Sequence, residues 1–389
     1  MTEKPWIVLV GGFLGAGKTT LLLAAARELE RRGLRSALIL NDQGEALVDA
    51  EFSDLHGFQS GEVTGGCFCC RFSDLLQVID RLREHFPDVI FAEPVGSCTD
   101  ISATTLHPLL EFSETYRIAP YTVLVDPVRA DALLFIGADP NLRFIFEKQL
   151  QEADLICITK SDIYPHVPQI GYPTARQISA KTGQGVAAWL DEVLSGGLRV
   201  GSEILNIDYE QYAQAEAALA WLNAELNIRC RVPQSPAMIL GPFFDCCDRD
   251  FTAEGISIVH MKAIVHADSG FVKAAICANG QAPTVEGMLD ASPALDHHLL
   301  FNLRAVGEAG NVRQIVETNL ASIEGDCAEL RIRCFHPAAP KPERRVSSFT
   351  SSVHSYRCGQ NHPFHGGMKV IDWRHEPVIY FFSYRSAAS

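Results

Sequence analysis

Three cysteines occupy four positions in the stretch GGCFCC: Cys67, Cys69 and Cys70. Thiols at that density can fill a core, pair oxidatively, sense redox state or grip a metal ion. In an extended segment Cys67 and Cys69 project to one side, about 7 Å apart at Cα. A turn at Cys69–Cys70, eased by Gly65 and Gly66, would swing the third thiol to the same point. Three thiolates form most of a tetrahedral shell for a soft or borderline ion, with Zn–S about 2.3 Å. Zn²⁺ is the expected ion, and Co²⁺ or Ni²⁺ would suit the same donors. The fourth position falls to solvent, a partner or Asp42. A site with one open position can load and release its ion, whereas closed four-cysteine sites are structural. Filler cysteines stand singly in apolar runs, as Cys157 and Cys277 do; GGCFCC is glycine-led and followed by the polar stretch RFSD.

Upstream, GGFLGAGKTT fits the pattern G-x-x-x-x-G-K-[ST]. It follows the apolar run WIVLV and opens the helical stretch TTLLLAAA, the context a phosphate-binding loop requires. Gly12, Gly15, Ala16, Gly17, Lys18, Thr19 and Thr20 would line the phosphates. Glycines let backbone N–H groups turn inward, and the helix N-terminus adds positive potential. Lys18 would neutralise the β and γ phosphates, and the Thr19 hydroxyl would ligate Mg²⁺. Further on, DVIFAEPVGS ends a buried strand with Glu93, placed to order the Mg²⁺ hydration shell or an attacking water. The Gly96 N–H could touch the γ phosphate and sense its loss. No arginine finger or catalytic glutamine stands out, so hydrolysis is expected to be slow until a partner or metal aligns the site.

After DLICIT comes TKSD. Asp162 at a strand mouth can accept two parallel hydrogen bonds from guanine, which adenine cannot supply. Thr159 and Lys160 would flank the base, with Lys160 along its plane. Ser179, Ala180 and Lys181 follow about twenty residues on, where a backbone N–H could meet the guanine O6. GTP is therefore the expected nucleotide.

These groups need strand ends to hold them. WIVLV, SALIL, DVIFAE, YTVLVD and DLICIT are near-continuous apolar runs that suit parallel strands buried on both faces. Helical stretches separate them: KTTLLLAAARELERRG, SDLLQVIDRLREHF and PNLRFIFEKQLQEA. Gly33 stands where a helix C-cap would, and Ser73 is placed to N-cap the second helix. The fold class is α/β: a phosphate-loop NTPase domain with a mostly parallel sheet flanked by helices over residues 1–200. A helical linker is expected over 201–234, with a long helix across 204–227 carrying Tyr212, Ala215, Leu219 and Leu222 on one side. A smaller α+β domain with a divergent tail would fill 235–389. Within it GISIVHMKAIVHA and FVKAAICANG read as paired strands, NVRQIVETNLASI as a helix and ELRIRCF as a further strand.

In this order, GGFLGAGKTT, GGCFCC, AEPVGS and TKSD resemble the CobW/HypB/UreG-type GTPases, and the CobW-like branch in particular. The resemblance spans about residues 5–200 and touches the second domain only through HMKAIV. It implies a GTP-hydrolysing metallochaperone. Such a protein couples nucleotide state to delivery of a transition metal, or services a metallo-cofactor such as cobalamin. Its partners would be a client metalloenzyme or a cofactor-handling protein, with a nucleotide-dependent dimer allowed. Two departures stand out. Thr159 replaces the Asn of Asn-Lys-x-Asp, and Asn41-Asp42-Gln43-Gly44, followed by Glu45, replaces Asn-Glu-Phe-Gly. Asp42 and Glu45 would be oxygen ligands on the first switch. The residues alone leave two other readings open: a small-molecule kinase, or a nucleotide-gated scaffold with structural cysteines.

Bulk properties narrow the field. The chain of 389 residues carries a net charge of −14 and is 47% hydrophobic. So acidic a surface repels phosphate backbones, which argues against nucleic acid as the main partner. No apolar run is long enough to span a membrane and no signal peptide is evident, so no membrane association is expected. Twelve cysteines in such a chain suggest reduced thiols and a cytoplasmic setting. His354, Cys358, His362 and His365 form a weaker candidate metal cluster, read first as a polar surface loop. The pairs Cys246–Cys247 and His297–His298 are read as structural or incidental.

Overall fold

The computed structural model describes residues 4–41, 48–49, 57–172, 174–347 and 370–372. The first part of the chain alternates strand and helix. β1 (Trp6–Gly12), α1 (Lys18–Arg31), β2 (Ser36–Asn41), β3 (Gln59–Val63), α2 (Phe72–Arg83) and β4 (Val89–Glu93) come first. A π-helical turn, Ser102–Leu106, runs into α3 (His107–Leu110). Then follow β5 (Arg117–Ile118), β6 (Thr122–Val125), α4 (Pro127–Leu134), α5 (Pro140–Gln151), β7 (Leu155–Ile158), β8 (Arg176–Gln177) and α6 (Val186–Val193). The strands pair in parallel in the order β3-β2-β4-β1-β6-β7-β8, with β5 also on β1. The five apolar runs form β1, β2, β4, β6 and β7 and the three helical stretches form α1, α2 and α5, as expected; the short strands β3, β5 and β8 and the helices α3, α4 and α6 are additions that the apolar runs do not announce.

Helices cover both faces, so the inner strands are apolar throughout. Leu22, Ala26, Trp189 and Leu190 of α1 and α6 pack one face. Leu75, Ile79, Ile145 and Phe146 of α2 and α5 pack the other. α1 stops in a Schellman motif: Gly33 takes φ +75°, its N–H bonds the Glu30 carbonyl, and the Leu34 N–H bonds that of Leu29. Ser73 does not cap α2. Arg71 holds that position, and both the N–H and the Oγ of Ser73 donate to the Glu343 carboxylate. β1 lies between β4 and β6, where the crossovers diverge, so a crevice opens at its carboxyl end.

Beyond residue 200 the chain departs from expectation. A short α7 (Tyr209–Ala217) gives way to the 16-residue β9 (Leu219–Gln234). The expected helix across 204–227 is correct only for its first turns, where Tyr212 and Ala215 are buried. Its Ala-, Leu- and Glu-rich remainder favours a helix locally, but pairing with strands on both sides overrides that preference. The stretch expected as a linker thus supplies an inner strand of a second sheet.

That sheet continues with α8 (Pro236–Ala253), β10 (Ser257–Ala267), β11 (Gly270–Ile276), β12 (Thr284–Gly287), β13 (Ala294–Val306), α9 (Ala309–Ala321) and β14 (Asp326–Phe335). Its order is β12-β11-β10-β13-β9-β14, antiparallel throughout. Phe243, Phe244, Val312 and Val316 of α8 and α9 bury one face against Leu222, Met261, Phe301 and Leu303. Sequence inspection misses α8, in which Gly241 and Pro242 interrupt the apolar spacing. A last pair, β15 (Arg344–Val346) with β16 (Val370–Asp372), is antiparallel. No helix among the described residues is long and apolar enough to cross a membrane.

Leu222 is fully buried on β9, so Leu222→Ala is expected to cost about 2–5 kcal/mol. Urea unfolding of the full chain measures this; a variant within experimental error of the parent would contradict a central role for β9.

Candidate nucleotide and metal sites

The phosphate loop sits at the crevice. Gly12 ends β1 at φ +129°, and a Cβ there would lie 2.4 Å from the Leu124 carbonyl oxygen. Gly15 and Gly17 also take positive φ, 79° and 90°, the latter as the N-cap of α1. Ala16 is buried, and its N–H closes the turn onto the Phe13 carbonyl at 3.0 Å. The loop turns the first N–H groups of α1 and the Lys18 amine toward one space. Lys18 Nζ donates to the Gly12 carbonyl at 3.1 Å and lies 3.7 Å from Glu93 Oε1. Thr19 Oγ1 donates to Glu93 Oε2 at 2.7 Å. Thr20 stands beside them in the first turn of α1, half-buried. Burial pushes the Glu93 carboxyl up and the Lys18 ammonium pulls it back. Gly96 passes close by: a Cβ there would come 3.0 Å from Lys18 Nζ.

The second expected nucleotide element forms on β7. Thr159 N–H and Oγ1 both donate to the Val125 carbonyl, which fixes the strand end without the side-chain amide an Asn would bring. Lys160 takes φ +57°, and its amine pairs with Asp126, which also caps α4. Burial opposes the Lys160 charge, but Asp126 and the neighbouring groups outweigh it and raise its pKa. Asp162 is exposed and free to face a ligand. The Ser161 N–H bonds the Ile178 carbonyl at 3.3 Å, bringing Ser179, Ala180 and Lys181 beside the TKSD turn. Ser179 is buried and its Oγ accepts from the Thr182 N–H, Ala180 is half-buried and Lys181 is exposed.

Between β3 and α2 the three cysteines converge. Cys67 Sγ lies 2.7 Å from Cys69 Sγ and 3.4 Å from Cys70 Sγ, and the last two are 3.7 Å apart. Edges of a zinc–thiolate tetrahedron with Zn–S near 2.3 Å are about 3.8 Å. The turn is wider than expected: the N–H groups of Cys70 and Arg71 both bond the Cys67 carbonyl. Asn41 straps the loop from the end of β2. Its Nδ2 donates to the carbonyls of Val63 and Gly66, and its Oδ1 accepts from the Phe68 N–H. From the far side, the Lys341 N–H donates to Cys70 Sγ at 3.2 Å and the Glu343 N–H to the Cys69 carbonyl at 2.8 Å. Thiol hydrogen bonds from Cys69, Cys70 and Cys98 hold Cys67 well below the usual thiol range. Their counterparts rise, Cys70 to about 12. One thiolate shared among thiol donors is a ready soft-metal ligand. Asp42 and Glu45, expected as oxygen ligands, lie outside the described residues, as do His354, Cys358, His362 and His365.

Sequence inspection also missed groups that only folding brings here. The second sheet turns a basic face to this end of the molecule: the Lys262 amine pairs with Asp49, and Lys273 Nζ lies 3.7 Å from it. Asn302 accepts from the Val48 N–H. Arg129 donates to the carbonyls of Val259 and Cys277, and Cys277 Sγ approaches the Gly15 carbonyl. His297 Nε2 donates to the Ala294 carbonyl at 3.0 Å, and His298 contacts His266 at 3.0 Å. Cys247 is buried in the second core, and Cys246 is half-buried.

The segment after Glu93 is braced from below by α5. Glu152, fully buried, accepts from Thr99 Oγ1 and from the Ser102 N–H. Burial pushes its carboxyl from 4.5 up to about 8. Because the folded value exceeds the unfolded one, the stability Glu152 contributes is full below about pH 4.5 and is lost as pH rises through about 8. Glu152→Gln should therefore flatten the fall in unfolding free energy across that window, as urea titrations at stepped pH would record. An unchanged slope would contradict the assignment.

Residues 6–182 match the family model described as CobW/HypB/UreG, nucleotide-binding domain. A zinc chaperone from Escherichia coli, YjiA, is 32% identical over 169 residues, covering 40% of this chain and 49% of the relative. A zinc-regulated GTPase metalloprotein activator 1 from Schizosaccharomyces pombe is 26% identical over 212 residues, covering 52% and 49%. The chain thus spans about half the length of these curated relatives. A crystal structure of a zinc-bound triple-mutant YjiA GTPase aligns over 83% of this chain and 99% of its own, at 17% identity and a TM-score of 0.33. The phosphate loop and the carboxylate at the end of β4 both lie within residues 6–182, the span that matches the CobW/HypB/UreG nucleotide-binding domain.

Proposed function

We propose that the protein is a Mg²⁺-dependent GTPase that binds a transition-metal ion at Cys67, Cys69 and Cys70 and passes it to a client protein. The observation that carries this reading is the set of three cysteine sulfurs within 4.8 Å of one another. Their loop is tied through Asn41 to the strand end beside Glu93, since Leu40 pairs with Glu93 across β2 and β4. A nucleotide-dependent movement at Glu93 therefore reaches the sulfurs through a few bonds.

Each residue has a role in this scheme. Lys18 and the α1 N-terminus bind the β and γ phosphates. Thr19 and Glu93 present oxygens 2.7 Å apart, a hard donor set that fits Mg²⁺. When bound, that ion would offset phosphate charge. Glu93 also orients the attacking water, and Gly96 meets the γ phosphate. Asp162 reads the guanine edge, with Thr159, Lys160 and Ser179–Lys181 around the base. The soft donor set favours Zn²⁺ while accepting Co²⁺ or Ni²⁺, and the names of the two relatives favour zinc. Cys70, the least buried of the three sulfurs, is the side from which an ion enters. A reducing cytoplasm keeps these thiols free. The second sheet selects the client.

Two measurements test this. Asp162→Ala is expected to raise the KM for GTP at least about tenfold, since charge-assisted hydrogen bonds are lost, and to leave ATP use unchanged. Equal loss for both nucleotides would contradict guanine reading, and phosphoryl transfer to an added acceptor would favour a kinase. Metal analysis of the purified chain should find zinc that the Cys67→Ala, Cys69→Ala, Cys70→Ala triple variant lacks. Equal zinc in both proteins would end the carrier reading.

A further inference from the structure

The stretch HPAAPKPERR, residues 336–345, is composed like a linker, yet its end lies across the cysteine loop. Pro340 and Pro342 have no N–H to give. Lys341 and Glu343, which alternate with them, spend theirs on that loop. Lys341 donates to Cys70 Sγ at 3.2 Å, and Glu343 donates to the Cys69 carbonyl at 2.8 Å. Alternate donors on one edge suit an extended segment. The prolines leave the opposite edge with no N–H to offer another strand.

Side chains fasten the same stretch at three places. The Glu343 carboxylate accepts from the N–H and the Oγ of Ser73, at 3.0 and 2.6 Å, in the first turn of α2. A negative charge suits that end of a helix. Arg344 pairs with Glu111 at 2.7 Å, and its guanidinium lies over the Phe72 ring at 5.5 Å. Arg345 pairs with Asp100 at 2.7 Å and donates to the Leu205 carbonyl at 2.8 Å. These anchors differ in depth. Asp100 is 1% exposed, so losing Arg345 would take the cation from a buried carboxylate. Lys341 is exposed and Glu343 is half-buried. A stretch pinned at one end by a buried pair and at the other by partly exposed polar contacts opens locally at low cost.

We propose that residues 341–343 are the gate of the metal site: a strap, pinned at the Arg345–Asp100 pair, that covers Cys70 and must lift before an ion enters or leaves. This rests on the reading of Cys67, Cys69 and Cys70 as a metal site. Cys70 is the least buried of the three sulfurs, and the Lys341 N–H stands against it. The strap follows β14, which pairs with β9, so the second sheet holds its other end. It reaches the cluster only through backbone N–H groups, which donate and cannot ligate a cation. The strap therefore sets how fast the site loads and empties, while the sulfurs set how tightly it holds.

One opening equilibrium then governs three rates, and Glu343→Ala in the full chain should move them together. Loss of two charge-assisted hydrogen bonds is expected to raise the open fraction at least about tenfold. Amide hydrogen exchange at positions 341 and 343 of the metal-free chain should quicken by that factor, with exchange in β1 unchanged. Zinc uptake, and zinc release to a chromophoric chelator, should quicken alike and leave the zinc Kd where it was. Ser73→Ala removes the far end of only one of the two bonds, and should shift all three rates the same way by a smaller factor. Exchange or zinc release at the parent's rate would overturn the gate. Faster release with unchanged uptake, and so a weaker Kd, would replace it with a static support for the ligands. If the parent and the triple cysteine variant bind zinc alike, the metal reading fails and the gate with it. That outcome is distinct from unchanged exchange, which sinks the strap alone.

Discussion

A carboxylate buried at the end of β4 organises this molecule. Glu93 is 8% exposed, and a buried charge is costly unless it is paired and hydrogen-bonded. Thr19 and Lys18 supply that pairing at 2.7 and 3.7 Å. Both come from the first turn of α1, so β4 must lie directly beside β1, as it does. β2 then lies on the other side of β4, and its last residue, Asn41, reaches the cysteine loop. The strand order thus places phosphate chemistry and sulfur chemistry on adjacent strand ends.

The sulfur cluster obeys a similar logic with softer groups. A buried thiolate needs donors, and here neighbouring thiols provide them, lowering Cys67 while raising Cys69, Cys70 and Cys98. An entering cation would relieve the crowding of sulfurs and replace shared protons with a stronger attraction. Backbone groups at Lys341 and Glu343 close the outer side. The chain reaches this position only after completing the second sheet, so the sheet and the sulfur loop are mechanically linked.

The second sheet is more than an appendage. Its basic face meets Asp49 through Lys262 and Lys273, and Arg129 answers from the first domain by binding its carbonyls. Buried ion pairs of this kind cost much to break one partner at a time. They tie Asp49, which lies between β2 and β3 in the sequence, to a sheet built from residues far along the chain.

Local patterns announced much of this. The phosphate loop, the parallel strands, the Gly33 cap and the three cysteines were legible because each is a short run whose residue types have one physical use. β9 was not, because its Ala- and Leu-rich composition favours a helix until two neighbouring strands claim its backbone. α8 was hidden by Gly241 and Pro242, which a packed helix tolerates. Ser73 looked like a cap, yet its donors went to Glu343, a partner no local rule reveals. By itself, then, the amino-acid order determined the elements that local patterns specify and the chemistry each could do, since those follow from backbone geometry and side-chain type within a few residues. Only the tertiary structure decided which groups meet: Ser73 with Glu343, Lys262 with Asp49, Asn41 with Gly66. Such meetings depend on strand order and packing, in which residues distant along the chain compete for the same buried partners.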